Sequence, residues 1–177
     1  MRKAALSKDE MLERLLAVFR RDGFSQASTV VLMQAIGLQK GSLYHHFPGG
    51  KTQMGQEVLG YVHRLFADKV FRPLREEADG LAQSCDALGD YFASGAKVCL
   101  PALMALGQER DLFAPAIAAF FQDWEQALVA AYDRAGWSQA NARRAVMDLQ
   151  GAIILSRAQD DPVPFHEALR RMREGLA

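Results

Sequence analysis

The sequence has few of the residues that build covalent or metal-held frameworks. Only two cysteines, Cys85 and Cys99, occur in 177 residues. That is too few for a disulfide scaffold, and both lie too far from a second thiol or a histidine cluster to spell a zinc site. They read as reduced core thiols. The four histidines, His45, His46, His63 and His166, give no ligand spacing on one helical face, since neighbours on a helix point about 100° apart. No metal and no cofactor is expected. Paired carboxylates and the context of a Cys-His nucleophile are missing as well, so the chain is not expected to be an enzyme. Long apolar runs are also absent. The Met1-Arg2-Lys3 start goes straight into Ser7-Lys8-Asp9-Glu10 without an apolar signal core, and stretches such as residues 99–106 fall short of the roughly 20 needed to span a bilayer. A soluble, cytoplasmic chain with no membrane partner is the expectation. Strand-like alternation, internal repeats and low-complexity tracts are lacking too, which leaves an all-α fold.

The formal net charge is zero, at first sight a poor match to a polyanionic partner. The sum hides an asymmetry. Residues 1–51 hold eight Lys or Arg against four Asp or Glu, a net of +4, whereas the remainder holds 13 basic and 17 acidic residues, a net of −4. A basic head that meets a polyanion and an acidic body that does not would carry this split. Half of the residues are apolar, enough for a head of residues 1–51 and a body of residues 52–177 to fold without staples.

Helix punctuation then organises the head. Ser7 and Glu10 form a capping box, after which Met11, Leu12, Leu15, Leu16 and Phe19 recur at helical spacing until Gly23. Ser28 or Thr29 caps a second, short helix that Gly37 ends, and a third runs over residues 39–47 before Pro48-Gly49-Gly50. Helix, glycine turn, helix is the shape of a helix-turn-helix. In such a unit the second helix puts its N-terminal half into the major groove of DNA while its apolar face packs on its neighbours. Leu43 and Phe47 suit the packed face, against Phe19 and Leu32. Gln39 and Lys40 suit base edges, Gly41 allows close backbone approach, and Ser42, Tyr44 and His45 face or flank the groove. Thr29 and Lys51 are placed to grip phosphates on either side.

From Lys51 a long helix heads toward Pro73, which should kink or end it, and further helices are expected near residues 85–98, 101–106, 115–135, 138–158 and 164–176. Pro101, Pro115 and Pro164 suit first-turn positions and Ser138 an N-cap. Residues 149–155 are apolar around most of the helix, so one side faces the core and the other needs a second cover, for which a partner subunit is economical. With the stripe Phe165, Ala168, Leu169, Met172 and Leu176 on the last helix, a two-fold, four-helix interface is expected, carried by Ala152, Leu155, Phe165, Leu169 and Met172.

The residues Gly23-Phe24 and the run Gly37-Leu38-Gln39-Lys40-Gly41-Ser42-Leu43-Tyr44-His45-His46-Phe47 resemble the DNA-binding head of the tetracycline-repressor (TetR) family. The ending Phe47-Pro48-Gly49-Gly50-Lys51, and more weakly Phe120-Phe121, Trp124, Gly151-Ala152 and Ser156-Arg157-Ala158, resemble the branch that contains lincomycin-resistance regulators. Ala27, Val31, Met33, Gln39 and Gln150 depart from the usual pattern, so neither operator nor effector transfers from a relative. The resemblance implies a nine-helix subunit, a homodimer through the last two long helices, and a ligand cavity inside each body. It further implies a repressor of a palindromic operator, released when a small hydrophobic or aromatic effector tilts the heads. Leu65, Phe92, Leu103, Met104, Phe120, Trp124, Met147 and Gln150, with Tyr91, Phe113 and Phe121, supply an apolar, aromatic inventory for that cavity.

Other readings carry less. Gly50-Lys51-Thr52 looks like the end of a phosphate-binding loop, but His45 stands where its first glycine should be and a helix precedes it instead of a strand. The competing function is a helical interaction protein that keeps the fold without sequence-specific DNA binding.

Overall fold

In a computed structural model, residues 6–176 are described; Met1, Arg2 and Lys3 of the sequence start lie outside them. They form α1 (Lys8–Asp22), α2 (Thr29–Ile36), α3 (Lys40–His46), α4 (Gly50–Phe66), a π-helical turn (Ala67–Phe71), α5 (Arg72–Glu76), α6 (Gly80–Phe92), α7 (Leu100–Leu106), α8 (Arg110–Arg134), α9 (Ala140–Gln159) and α10 (Val163–Arg173). No strand occurs among the described residues. Counting α4, the π turn and α5 as one rod gives nine helices. None is long and apolar enough to cross a membrane.

The contacts divide the chain into two units, one up to Val62 together with Leu100–Ile117, the other His63–Cys99 with Ala118–Ala177. This is not the expected division after residue 51. The physical reason lies at Gly55 on α4, where a Cβ would come within 2.7 Å of Phe113 and 2.8 Å of Phe24. The bare backbone lets these rings stack edge to face at 4.9 Å, so the first half of α4 and the start of α8 share the core of the head helices. α7 packs on α1 in the same unit.

In the second unit α10 packs on α9 and α6. Its core holds the rings of Phe66, Phe71, Phe92, Phe120 and Trp124, all buried. Arg134 donates to the carbonyls of Leu74, Arg75 and Glu77 at 2.7, 2.8 and 3.0 Å, satisfying the end of α5. Both cysteines are buried and outside any disulfide, and burial pushes the Cys85 thiol up to about 12, which keeps it unreactive.

Pro73, expected to kink or end the long helix, follows a π-helical turn that interrupts it and sits in the first turn of α5. Two other local expectations are corrected. Pro115 is inside α8, not at its start. It is exposed there, as is Asp111, so water can reach the carbonyl that loses its helical partner. Ser138 does not cap α9: the N-cap is Gln139, with no side-chain cap bond.

A carboxylate cluster on this unit gives a pH expectation. Asp123 accepts from His63 at 2.8 Å and from Arg75. Burial by itself would raise its carboxyl, but the hydrogen bonds from His63 and Arg75 outweigh that and hold it below the usual range. Its contribution is therefore complete above the unfolded value of about 3.9 and is lost as pH falls through the lower folded one. Urea midpoints of the native chain and of Asp123→Asn should differ at pH 6 and converge below pH 3; a constant gap would contradict the pairing.

Candidate nucleic-acid interface

The head is assembled by caps that the sequence spells out. Ser7 Oγ accepts from the Glu10 amide and the Glu10 carboxylate accepts from the Ser7 amide at 2.7 Å, closing the box that starts α1. Gly23 ends that helix at φ 75°. Ser28 caps α2 through the Val31 amide at 3.3 Å, and Gly37, left-handed at φ 68°, turns the chain into α3. Thr29 is thus the first residue of α2, not its cap, and is half-buried. Arg14 on α1 donates to the Ala35 carbonyl at 3.3 Å and ties α1 to the end of α2.

α3 has two faces. Leu43 and Phe47 are fully buried, as are Phe19 and Leu32, and the Lys8 ammonium lies 3.8 Å from the centre of the Phe47 ring. Gln39, Lys40, Gly41, Ser42, Tyr44, His45 and His46 are all exposed. Gln39 occupies the N-cap position without a side-chain cap bond, which leaves its amide available to a partner. Nothing lies within 4 Å of a Cβ built at Gly41, so the backbone there is open to a surface approaching from outside. The helix therefore shows two polar side chains able to pair with base edges, a bare backbone position, and a hydroxyl, a phenol and imidazoles around them. His46 was not among the expected residues; it follows His45 with the rings 5.7 Å apart. The neighbouring α2 carries no charged residue and leaves Val30 56% exposed.

Lys51 is placed differently from the expectation. Its ammonium donates to the carbonyls of Ser25 at 3.1 Å and Ala27 at 3.0 Å and lies 4.8 Å from the Phe24 ring centre. A loop that displays carbonyls beside an aromatic face draws a cation inward, so the side chain staples the α1–α2 connection to the start of α4. Lys51→Met should cost about 1–2 kcal/mol of stability, read as a lower Tm. A lysine that only met phosphate would leave the Tm unchanged. Gln53, also unforeseen, accepts from the Gly49 amide at 2.7 Å and donates to Glu57 at 2.6 Å, capping α4 where the proline and glycines precede it.

The residues expected to line a ligand cavity belong to both units. Leu103 and Met104 lie on α7 in the first unit, half-buried and buried. In the second unit Phe92, Phe120 and Trp124 are buried, and Leu65 and Gln150 are half-buried. Trp124 stands 5.3 Å from Phe66 and 5.9 Å from Phe120, ring centre to ring centre. Met147 is 62% exposed and lies on another face, with Ile154 and Leu155.

The residues expected at a subunit interface divide as well. Leu155 is 51% exposed, but Phe165 and Met172 are buried in their own chain, Ala152 is nearly so, and Leu169 is half-buried. The apolar stripe of α10 is turned inward, with the Ser156 hydroxyl accepting from the Phe165 amide at 3.1 Å and Tyr132 Oη donating to the Met172 carbonyl at 2.9 Å. The apolar surface left open is a different set: Met147, Ile154, Leu155 and Val163, with the bare backbone of Gly151 between them. A groove of about 520 Å³ runs along it, lined by Met147, Gly151, Leu155, Val163, Glu167 and Arg171 among others.

No protein-family model matches the chain. Among curated proteins it is 27% identical over 196 residues to an uncharacterized HTH-type transcriptional regulator of Mycobacterium tuberculosis, covering 96% of this chain and 93% of that one. It is 24% identical over 171 residues to the HTH-type transcriptional regulator LmrA of Bacillus subtilis, covering 90% of each. Among solved structures, a TetR transcriptional regulator from Legionella pneumophila superposes with a TM-score of 0.81 over all of both chains at 18% identity. CifR, a TetR family transcriptional regulator solved with 26-bp double-strand operator DNA, superposes at 0.76 over all of both chains at 19% identity. The chain thus has the all-α fold of the TetR-family regulators and is similar in sequence to HTH-type transcriptional regulators, LmrA among them.

Proposed function

We propose that this protein is a ligand-responsive transcriptional repressor that binds a palindromic operator as a homodimer and leaves it when a small hydrophobic or aromatic effector enters its body. The observation that carries the reading is the division of α3, which buries Leu43 and Phe47 and presents Gln39, Lys40, Gly41, Ser42, Tyr44 and His45. That is how a recognition helix must be built to pack and read at once. The likeness to CifR, solved on its operator, supports DNA as the partner. A mobility-shift titration with the DNA upstream of the protein's own gene tests it. A complex that weakens steeply between 50 and 200 mM salt is expected; no salt-sensitive complex at any concentration would favour the interaction-protein reading, to which the uncharged α2 lends some support.

The open apolar face of α9 supports the homodimer. Large exposed apolar side chains in one patch are costly in water and are the ordinary mark of a partner surface. Leu155→Glu would bury a carboxylate opposite its own two-fold copy and should turn the dimer into monomer at micromolar concentration in sedimentation. An unchanged dimer would move the interface elsewhere.

A further inference from the structure

The helix that presents the exposed polar face is too short to hold itself in place. α3 has seven residues, fewer than an isolated helix needs in water, and its N-cap Gln39 makes no side-chain cap bond. Its order therefore comes from Leu43 and Phe47 in the core of the head and from whatever anchors its C-terminal end. That anchor is a closed circuit of side chains within the first unit.

From Phe47, whose carbonyl accepts from the Gly50 amide at 2.9 Å, the chain turns into α4. The Gly49 amide donates to Gln53 Oε1 at 2.7 Å, and Gln53 Nε2 donates to Glu57 Oε1 at 2.6 Å, one helical turn further on. The other oxygen of Glu57 pairs with the Lys8 ammonium at 2.5 Å. That ammonium lies 3.8 Å from the centre of the Phe47 ring, where the circuit began. Gly49 is part of the fit, since a Cβ there would stand 3.0 Å from Gln53 Cβ and 3.2 Å from its Oε1 and would crowd Gln53 off the amide.

By charge alone Lys8 would count as a phosphate ligand. Its ammonium is already held from two sides, by a carboxylate and by a ring face, and meeting DNA would cost it both. By charge alone Glu57, an acid in the unit that carries α3, would weaken DNA binding. We propose that Lys8 and Glu57, joined through Gln53 to the Gly49 amide, are positioning residues for α3: they hold its C-terminal end on α1 and α4 and touch no DNA themselves. The inference rests on the DNA-binding reading above. Opening the circuit lets the end of α3 leave its place for part of the time, and apparent affinity falls with the fraction of heads that keep it.

Mobility-shift titrations of the intact chain on the DNA upstream of its own gene, at salt from about 50 to 200 mM, test this with Glu57→Ala, Lys8→Met and the double variant. Glu57→Ala should bind about tenfold more weakly, whereas removing an acid that played no such part would tighten binding. Lys8→Met should lose about as much and keep the native slope of log affinity against log salt; a lost phosphate contact would reduce that slope by about 1. The double variant should bind no more weakly than the weaker single variant, because either change opens the same circuit. Hydrogen exchange of the DNA-free chain reads the circuit without an operator: the Gly49 and Gly50 amides should exchange about tenfold faster in each variant. Tighter binding by Glu57→Ala, a shallower slope for Lys8→Met, additive losses in the double variant, or native exchange at Gly49 and Gly50 would overturn the proposal. A native chain that binds no DNA would sink the DNA-binding reading instead, and the exchange rates would still decide whether the circuit holds the end of α3.

Discussion

Replacing Lys40 and Tyr44 together by alanine is expected to abolish operator binding while leaving the fold and the oligomeric state as they were. Both side chains are exposed, Tyr44 by 48%, and neither contributes to the buried core of the head. A lysine on a base edge contributes about 1–3 kcal/mol of discrimination, and a lost phosphate contact removes a released counterion as well. The two losses together amount to about a hundredfold or more in affinity. Thermal melting should change little, because neither side chain belongs to the buried core and alanine favours the helix. A double variant with native affinity would show that α3 is not the helix that meets DNA.

Gly80→Ala is expected to be the most damaging addition of a single methyl group. A Cβ there would stand 1.9 Å from the carbonyl oxygen of Pro73 and 2.6 Å from its carbon. Those atoms are backbone, fixed by the π turn before them and by α5, and cannot rotate aside. The cost should be roughly 3 kcal/mol or more, seen as a large fall in the urea midpoint. Gly55→Ala is the informative contrast. Its close neighbours are the rings of Phe24 and Phe113, side chains that yield more readily than backbone, so its cost should be smaller. Equal losses at the two sites would mean that the α5–α6 junction yields more readily than its geometry implies.

Much of the head was legible because its signals are local. Ser7 with Glu10, Gly23, Ser28 and Gly37 act through backbone groups three or four residues away, so their chemistry can be read in order along the chain. The two faces of α3 follow from the spacing of Leu43 and Phe47 by the same reasoning. Long-range partners are not local. Lys51 looked like a phosphate ligand because the carbonyls that hold it belong to Ser25 and Ala27, 26 and 24 residues earlier. The apolar stripe of α10 was legible as a stripe, but periodicity says only that a face is buried and not by which chain. Phe165 and Met172 turned out to face their own subunit. For α9, being apolar on both sides carried more information: Leu155 lies on its open side, together with Ile154 and with Met147, which the sequence had suggested for the cavity. The π turn at Ala67–Phe71 has no local signature in the spacing of apolar residues, which reads the same through an α-helix.

The most direct measurement of the central claim is chemical protection of operator DNA by the intact protein, read base by base. A dimer presenting two copies of α3 should protect guanine N7 atoms in two major-groove segments about one helical turn apart, on one face of the duplex and related by the palindrome. Protection of one segment only, of the minor groove, or of no base at a concentration that shifts the DNA would contradict it.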